Sequence, residues 1–185
     1  MASRTNARVL TDTIAGIFRK EGYDGASLSG LAARTGLGKA SLYHHFPGGK
    51  SDMANAVYDR VSASFTREVL ACLAGRGAPQ DRLERMARAL ETFYDGGRRA
   101  CLIDVFSIGG ARDEFATKLS EAVNYWVASI ARTLGDAGVE KHLAQARAED
   151  AVIAIEGALV VARATGNAEP FRRTVAGLPD RLLGN

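Results

Sequence analysis

The chain has only two cysteines in 185 residues, Cys72 and Cys101, with no CxxC pair and no Cys/His cluster at zinc-ligand spacing. A disulfide-stapled scaffold and a structural zinc site are therefore not expected. Each cysteine reads as a buried free thiol, with a redox pair as the alternative. Long apolar runs are also missing. The most apolar stretch, residues 151–162, is interrupted by Glu156 and falls short of the roughly 20 residues a membrane-spanning helix requires. Arg4 and Arg8 are followed by a periodic segment rather than an unbroken apolar one, so no secretory signal is read and a cytoplasmic location is expected. No alternating pattern is long enough for a strand. GxSxG, HExxH and GxGxxG are all absent, and the three histidines do not cluster with carboxylates. An enzyme is not expected, nor a cofactor or a metal.

What is present is ordinary for a folded domain: 46% hydrophobic and 24% charged residues. The charge is unevenly placed. Residues 1–50 hold seven Lys/Arg against three Asp/Glu, whereas the remainder holds seventeen against eighteen. A basic surplus confined to one end points to a polyanion-binding N-terminal module.

Apolar periodicity predicts helices nearly throughout, hence an all-α fold. Leu10, Ile14, Ile17 and Phe18 form the stripe of a first helix ending near Gly22. Ser27 or Ser29 caps a short second helix containing Leu28, Leu31 and Ala32, which Gly36 ends in a left-handed conformation. A third helix runs from Lys39 to about His45, and Pro47-Gly48-Gly49 stops it. Longer helices are predicted over Lys50 to Leu73, from Pro79 to Gly96-Gly97, over about Asp113 to Leu134 and about Lys141 to Thr165, with a last one starting at Pro170. The chain divides into a three-helix N-terminal domain, residues 1–49, and a larger helical domain, residues 50–185.

Between Ser27 and Phe46 the residue types suit two closely crossing helices. Ala32 permits close approach, Gly36 permits positive φ, and Leu31, Leu37 and Leu42 pack the pair together. That leaves Lys39, Ala40, Ser41, Tyr43 and His44 on the free face. These types suit a DNA major groove: Lys bonds guanine acceptors, Ser donates or accepts, and Ala touches a thymine methyl. Lys39, Ala40 and Ser41 are assigned to base readout, Tyr43, His44 and His45 to phosphate positioning, and Ser27 and Ser29 are also counted among the DNA-binding residues. Lys50 in a helix's first turn opposes the macrodipole. A DNA phosphate on Gly49-Lys50-Ser51 would reverse that sign. A P-loop is not read there, because the earlier Gly it needs falls at His44. His44 and His45 diverge by about 100° on a helix and do not chelate one metal.

The run Gly36-Leu37-Gly38-Lys39-Ala40-Ser41-Leu42-Tyr43-His44-His45-Phe46-Pro47-Gly48-Gly49-Lys50 resembles the DNA-binding signature of the TetR family of repressors. His-His-Phe-Pro-Gly-Gly-Lys resembles its LmrA-like multidrug-resistance subgroup. Gly38 departs from the Ser of many relatives and so lacks a side-chain cap. The resemblance implies an all-helical second domain with an inducer pocket, and a homodimer through the last two long helices. The apolar character of Gly157 to Gly166 agrees with burial on several sides.

Dimer contacts are expected from Val152, Ile155, Leu159, Val160, Arg163, Phe171 and Val175. Polar or aromatic residues amid apolar helices are the ligand candidates: Phe93, Tyr94, Asp104, Phe106, Tyr125, Trp126 and Glu156. The expectation is a repressor whose dimer reads palindromic half-sites about 34 Å apart, or a multiple of that, on double-stranded DNA. A small-molecule inducer would release it. An activator, or a redox-sensing regulator using Cys72 and Cys101, is the alternative.

Overall fold

Leu10, Ile14, Ile17 and Phe18, the stripe read from the sequence, are all buried along α1 (Ala2–Gly25). Gly22, at φ 74° and ψ 170°, breaks that helix and a further turn carries it to Gly25. The structure is a computed structural model that describes residues 2–184, with side chains from residue 7 onward; Arg4 lies outside the described side chains. The other helices are α2 (Leu28–Thr35), α3 (Lys39–His45), α4 (Lys50–Glu68), α5 (Pro79–Phe93), α6 (Leu102–Phe106), α7 (Arg112–Asp136), α8 (Lys141–Thr165), α9 (Glu169–Ala176) and α10 (Leu178–Leu183). No strand occurs among the described residues, so the fold is all-α. No helix among them is long and apolar enough to cross a membrane.

The helices group into two compact units, Met1–Ala63 with Leu102–Ala116, and Ser64–Cys101 with Thr117–Asn185. The first unit is larger than the 1–49 segment read from the sequence. It extends along α4 and takes in a short segment from far along the chain. Packing explains the addition: α6 lies against α1, and Phe106 meets the Phe18 ring edge-on at 5.6 Å and stacks on Phe115 at 4.6 Å. Tyr58 of α4 completes this aromatic core, 5.7 Å from Phe115. Three fully buried phenylalanines at about 1.5–3 kcal/mol each are a large share of the driving force for so small a unit.

In the second unit α5 buries Leu83, Met86, Ala87, Leu90 and Phe93, a helical stripe opened by Pro79 in the first turn. α9 packs on α5 and α8, and α10 likewise. The last predicted helix is thus two helices, with Gly177 between them. Phe171 of α9 closes on the turn after α5. A Cβ on Gly97 would lie 2.8 Å from that of Phe171, and its φ of 95° independently requires glycine. The long helix expected over Lys50 to Leu73 ends at Glu68, and a 3-10 turn, Leu70–Cys72, follows.

Candidate nucleic-acid interface

The α2–turn–α3 segment is built as its residue types dictate. The Ser27 hydroxyl accepts from the Gly30 N–H at 3.0 Å and so caps α2, while Ser29 stays exposed within the helix. Gly36 ends α2 at φ 69°, turning the chain toward α3 at almost no steric cost. α3 has no side-chain cap, because its cap position is Gly38.

Leu31 and Leu42 are buried and hold the two helices to the rest of the unit. Leu42 is the one buried side chain of α3. Lys39, Ala40, Ser41, Tyr43, His44 and His45 are all exposed. A seven-residue helix held by one leucine and presenting six solvated side chains is shaped to be read from outside.

Lys50 is placed differently from the sequence expectation. Its ammonium donates to the Tyr23 carbonyl at 3.1 Å and lies 4.4 Å from the centre of the Tyr23 ring. The N–H of Gly49 donates to the Phe46 carbonyl at 2.8 Å, and the Ser51 hydroxyl donates to the Glu114 carboxylate. Of the phosphate cradle expected at Gly49-Lys50-Ser51, the Gly49 N–H and one donor of the Lys50 ammonium are thus engaged within the protein. The reason is the turn after α3, which closes on itself and brings the start of α4 beside the end of α1. Burial raises the Tyr23 hydroxyl pKa above its usual value, and the Glu114 and Asp24 carboxylates add to the shift.

Those carboxylates belong to a polar set that the sequence does not reveal. Asp24 accepts from the Gly110 N–H at 3.0 Å, and Glu114 accepts from Asn55 at 2.5 Å as well as from Ser51. The partners lie 86, 59 and 63 positions apart, so no local spacing marks them.

The other candidates fall in several places. Phe93, Tyr94 and Trp126 come together around Phe65, with ring centres 4.8–6.3 Å from it. Trp126 is buried with no hydrogen-bond acceptor for its indole N–H, and meets the Phe65 ring nearly perpendicular, at 72°. Phe106 and the half-buried Asp104 belong instead to the first unit. Tyr125 is exposed and Glu156 half-buried.

Of the expected dimer contacts, Val152, Ile155, Leu159, Phe171 and Val175 are buried within the protomer itself. Apolar periodicity reports burial without saying whether the same chain or a second one provides it. Val160 and Arg163 are exposed. The exposed apolar side of α8 is Ile153, Gly157, Val160, Val161 and Ala164, a helical repeat the sequence carried but which the buried stripe masked. Both cysteines are free; buried Cys101 accepts a hydrogen bond from the Tyr94 hydroxyl at 3.3 Å, and Cys72 is half-buried.

A capped helix, a glycine turn and a second helix with a solvated polar face, on an all-α chain, define a helix-turn-helix transcriptional regulator. Comparison with known proteins makes this specific. Residues 10–57 match the family of bacterial regulatory proteins described as the tetR family, and residues 78–176 match that described as transcriptional regulator LmrA/YxaF-like, C-terminal domain. The chain belongs to the TetR family of transcriptional regulators and carries a C-terminal domain of the LmrA/YxaF-like kind.

It is similar to the HTH-type transcriptional regulator LmrA of Bacillus subtilis (strain 168), at 22% identity over 175 residues and 90% of each chain. Regulatory protein TetR from Rhodobacter sphaeroides has a similar fold, with a TM-score of 0.79 at 22% identity over 94% of this chain and 97% of that one. A TetR family regulator from Cytophaga hutchinsonii gives 0.77 at 21% identity over 100% and 96%.

Proposed function

We propose that this regulator is a repressor that binds a two-fold symmetric operator as a homodimer and leaves it when a small molecule binds its C-terminal unit. The observation that carries the reading is the α3 face: Lys39, Ala40 and Ser41 stand in the first turn of an exposed helix, where base edges are read, with Tyr43, His44 and His45 placed for phosphates. The basic surplus of residues 1–50 supports it.

A second copy is expected on the exposed apolar side of α8, at Ile153, Gly157, Val160 and Val161, and exposed Tyr125 of α7 belongs to the same unit. Five exposed large apolar side chains in one unit, Tyr125, Leu143, Ile153, Val160 and Val161, favour a protein partner over solvent, and two-fold pairing would supply a second reader for the second half-site. The inducer is expected at the aromatic group Phe65, Phe93, Tyr94 and Trp126, where apolar walls and one free indole donor suit an aromatic molecule carrying an acceptor. Linkage then requires the ligand to prefer the form with lower operator affinity.

Selection of bound sequences from random DNA at fixed salt tests the reading. Enrichment of a palindrome with half-sites about one or two helical turns apart is expected. Enrichment of no palindrome counts against it.

A further inference from the structure

We propose that a cavity between α8 and α10 binds a small organic carboxylate, at a site distinct from the aromatic group. The cavity, about 240 Å³, is lined by Arg147, Asp150, Ala151 and Ala154 of α8 and by Leu178, Arg181 and Leu182 of α10. Its volume suits a molecule of roughly ten non-hydrogen atoms, below the usual drug-sized range.

Each guanidinium is tied to a helix end by one hydrogen bond. Arg147 donates through Nη1 to the Leu182 carbonyl at 2.9 Å, and its Nη2 occupies space 2.7 Å from where a Cβ on Gly184 would stand. Arg181 donates through Nη2 to the Thr174 carbonyl. These bonds satisfy carbonyls at the ends of α10 and α9, and each engages one of the five N–H donors an arginine carries. Neither guanidinium closes an ion pair with a carboxylate among the described residues. Two oriented cations with unassigned donors, at the rim of one small cavity, are the arrangement that recognises a carboxylate fork.

The rest of the lining decides which anion. Leu178, Leu182 and Ala151 are buried and give an apolar floor, which favours an organic acid with a short hydrocarbon or aromatic body over an inorganic ion. Asp150 places one carboxylate in the same lining, which repels a dianion more than a monoanion. A monocarboxylate with an apolar body satisfies all three constraints.

Titration calorimetry of the full chain with benzoate, its neutral counterpart benzamide and inorganic phosphate tests this, and needs no operator. Saturable benzoate binding is expected, with benzamide at least about tenfold weaker and phosphate not saturating. Arg181→Met is expected to weaken benzoate at least about tenfold, and Asp150→Asn to tighten it. Because an arginine variant also loses a helix-end bond, Ala154→Phe is the second variant. It fills the cavity while keeping both arginines and is expected to abolish binding while circular dichroism stays unchanged. Absence of benzoate binding up to about 10 mM overturns the proposal. Equal affinity for benzamide, or benzoate binding retained in a folded Ala154→Phe variant, overturns it as well.

Discussion

The Lys50 ammonium is bound twice by one residue, donating to the Tyr23 carbonyl at 3.1 Å and lying 4.4 Å from the centre of the Tyr23 ring. A cation in the first turn of α4 is therefore compensated by α1 before any DNA arrives. Lys50→Met is expected to lower the stability of the free protein by about 1–2 kcal/mol, read from urea denaturation. A lysine that serves phosphate alone would leave stability unchanged and only flatten the salt dependence of operator binding.

The reading helix separates stability from affinity. Leu42→Ala removes the only buried side chain of α3 and is expected to cost about 2–5 kcal/mol. Lys39→Ala and Ser41→Ala, both exposed, should stay within about 0.5 kcal/mol of the parent in stability. Each should nevertheless lose about 1–3 kcal/mol of specific operator binding. Fluorescence anisotropy on specific and scrambled duplexes checks this. Equal losses on both duplexes would reassign the residue from bases to phosphates.

The core of the second unit and the exposed apolar side of α8 respond differently to substitution. Phe171→Ala, in the protomer core, should cost about 3–5 kcal/mol whatever the association state. Ile153→Asp and Val160→Asp place a charge on exposed positions and should leave the folded protomer intact while dissociating the proposed dimer. Sedimentation velocity over a range of concentrations distinguishes the two. A dimer that survives both charges is held by some other face.

Glu140 caps α8 with its side chain, accepting from the backbone N–H groups of His142 and Leu143 at 2.9 and 3.2 Å. Those bonds hold its carboxyl below the usual Glu range. Because the folded value lies below the unfolded one, the cap contributes stability above the unfolded value, near pH 4.5, and loses it as pH falls through the folded value. Melting curves of the parent and Glu140→Gln should therefore differ at pH 7 and converge in acid. A gap that is absent at pH 7 or widens in acid would show that the cap contributes nothing.

Local rules carried the reader and long-range pairing did not. Ser27, Gly36 and the Pro47-Gly48-Gly49 stop each act through the residues beside them, so the bounds of α2, α3 and the start of α4 could be read from spacing alone. The α8 bounds followed in the same way. Phe106 gave no such signal: a five-residue helix has too few positions to reveal its partner, and only packing on Phe18 and Phe115 assigns it to the first unit. The contact of Lys50 with Tyr23 was not legible, because macrodipole logic sees one helix, whereas Tyr23 approaches from another. Val152 and Phe171 were buried as their patterns required, but by their own chain.

The DNA-reading unit draws on two stretches of the chain, with some forty residues of another unit between them. Its genetic coding is accordingly split. A chimera made by one crossover near residue 63 would strand Phe18 and Tyr58 without the aromatic partners supplied by residues 102–116, and one near residue 50 would strand Phe18. Exchange of operator specificity between this regulator and a relative therefore calls for two crossovers, or for transplanting the exposed side chains of α3 onto an otherwise unchanged framework.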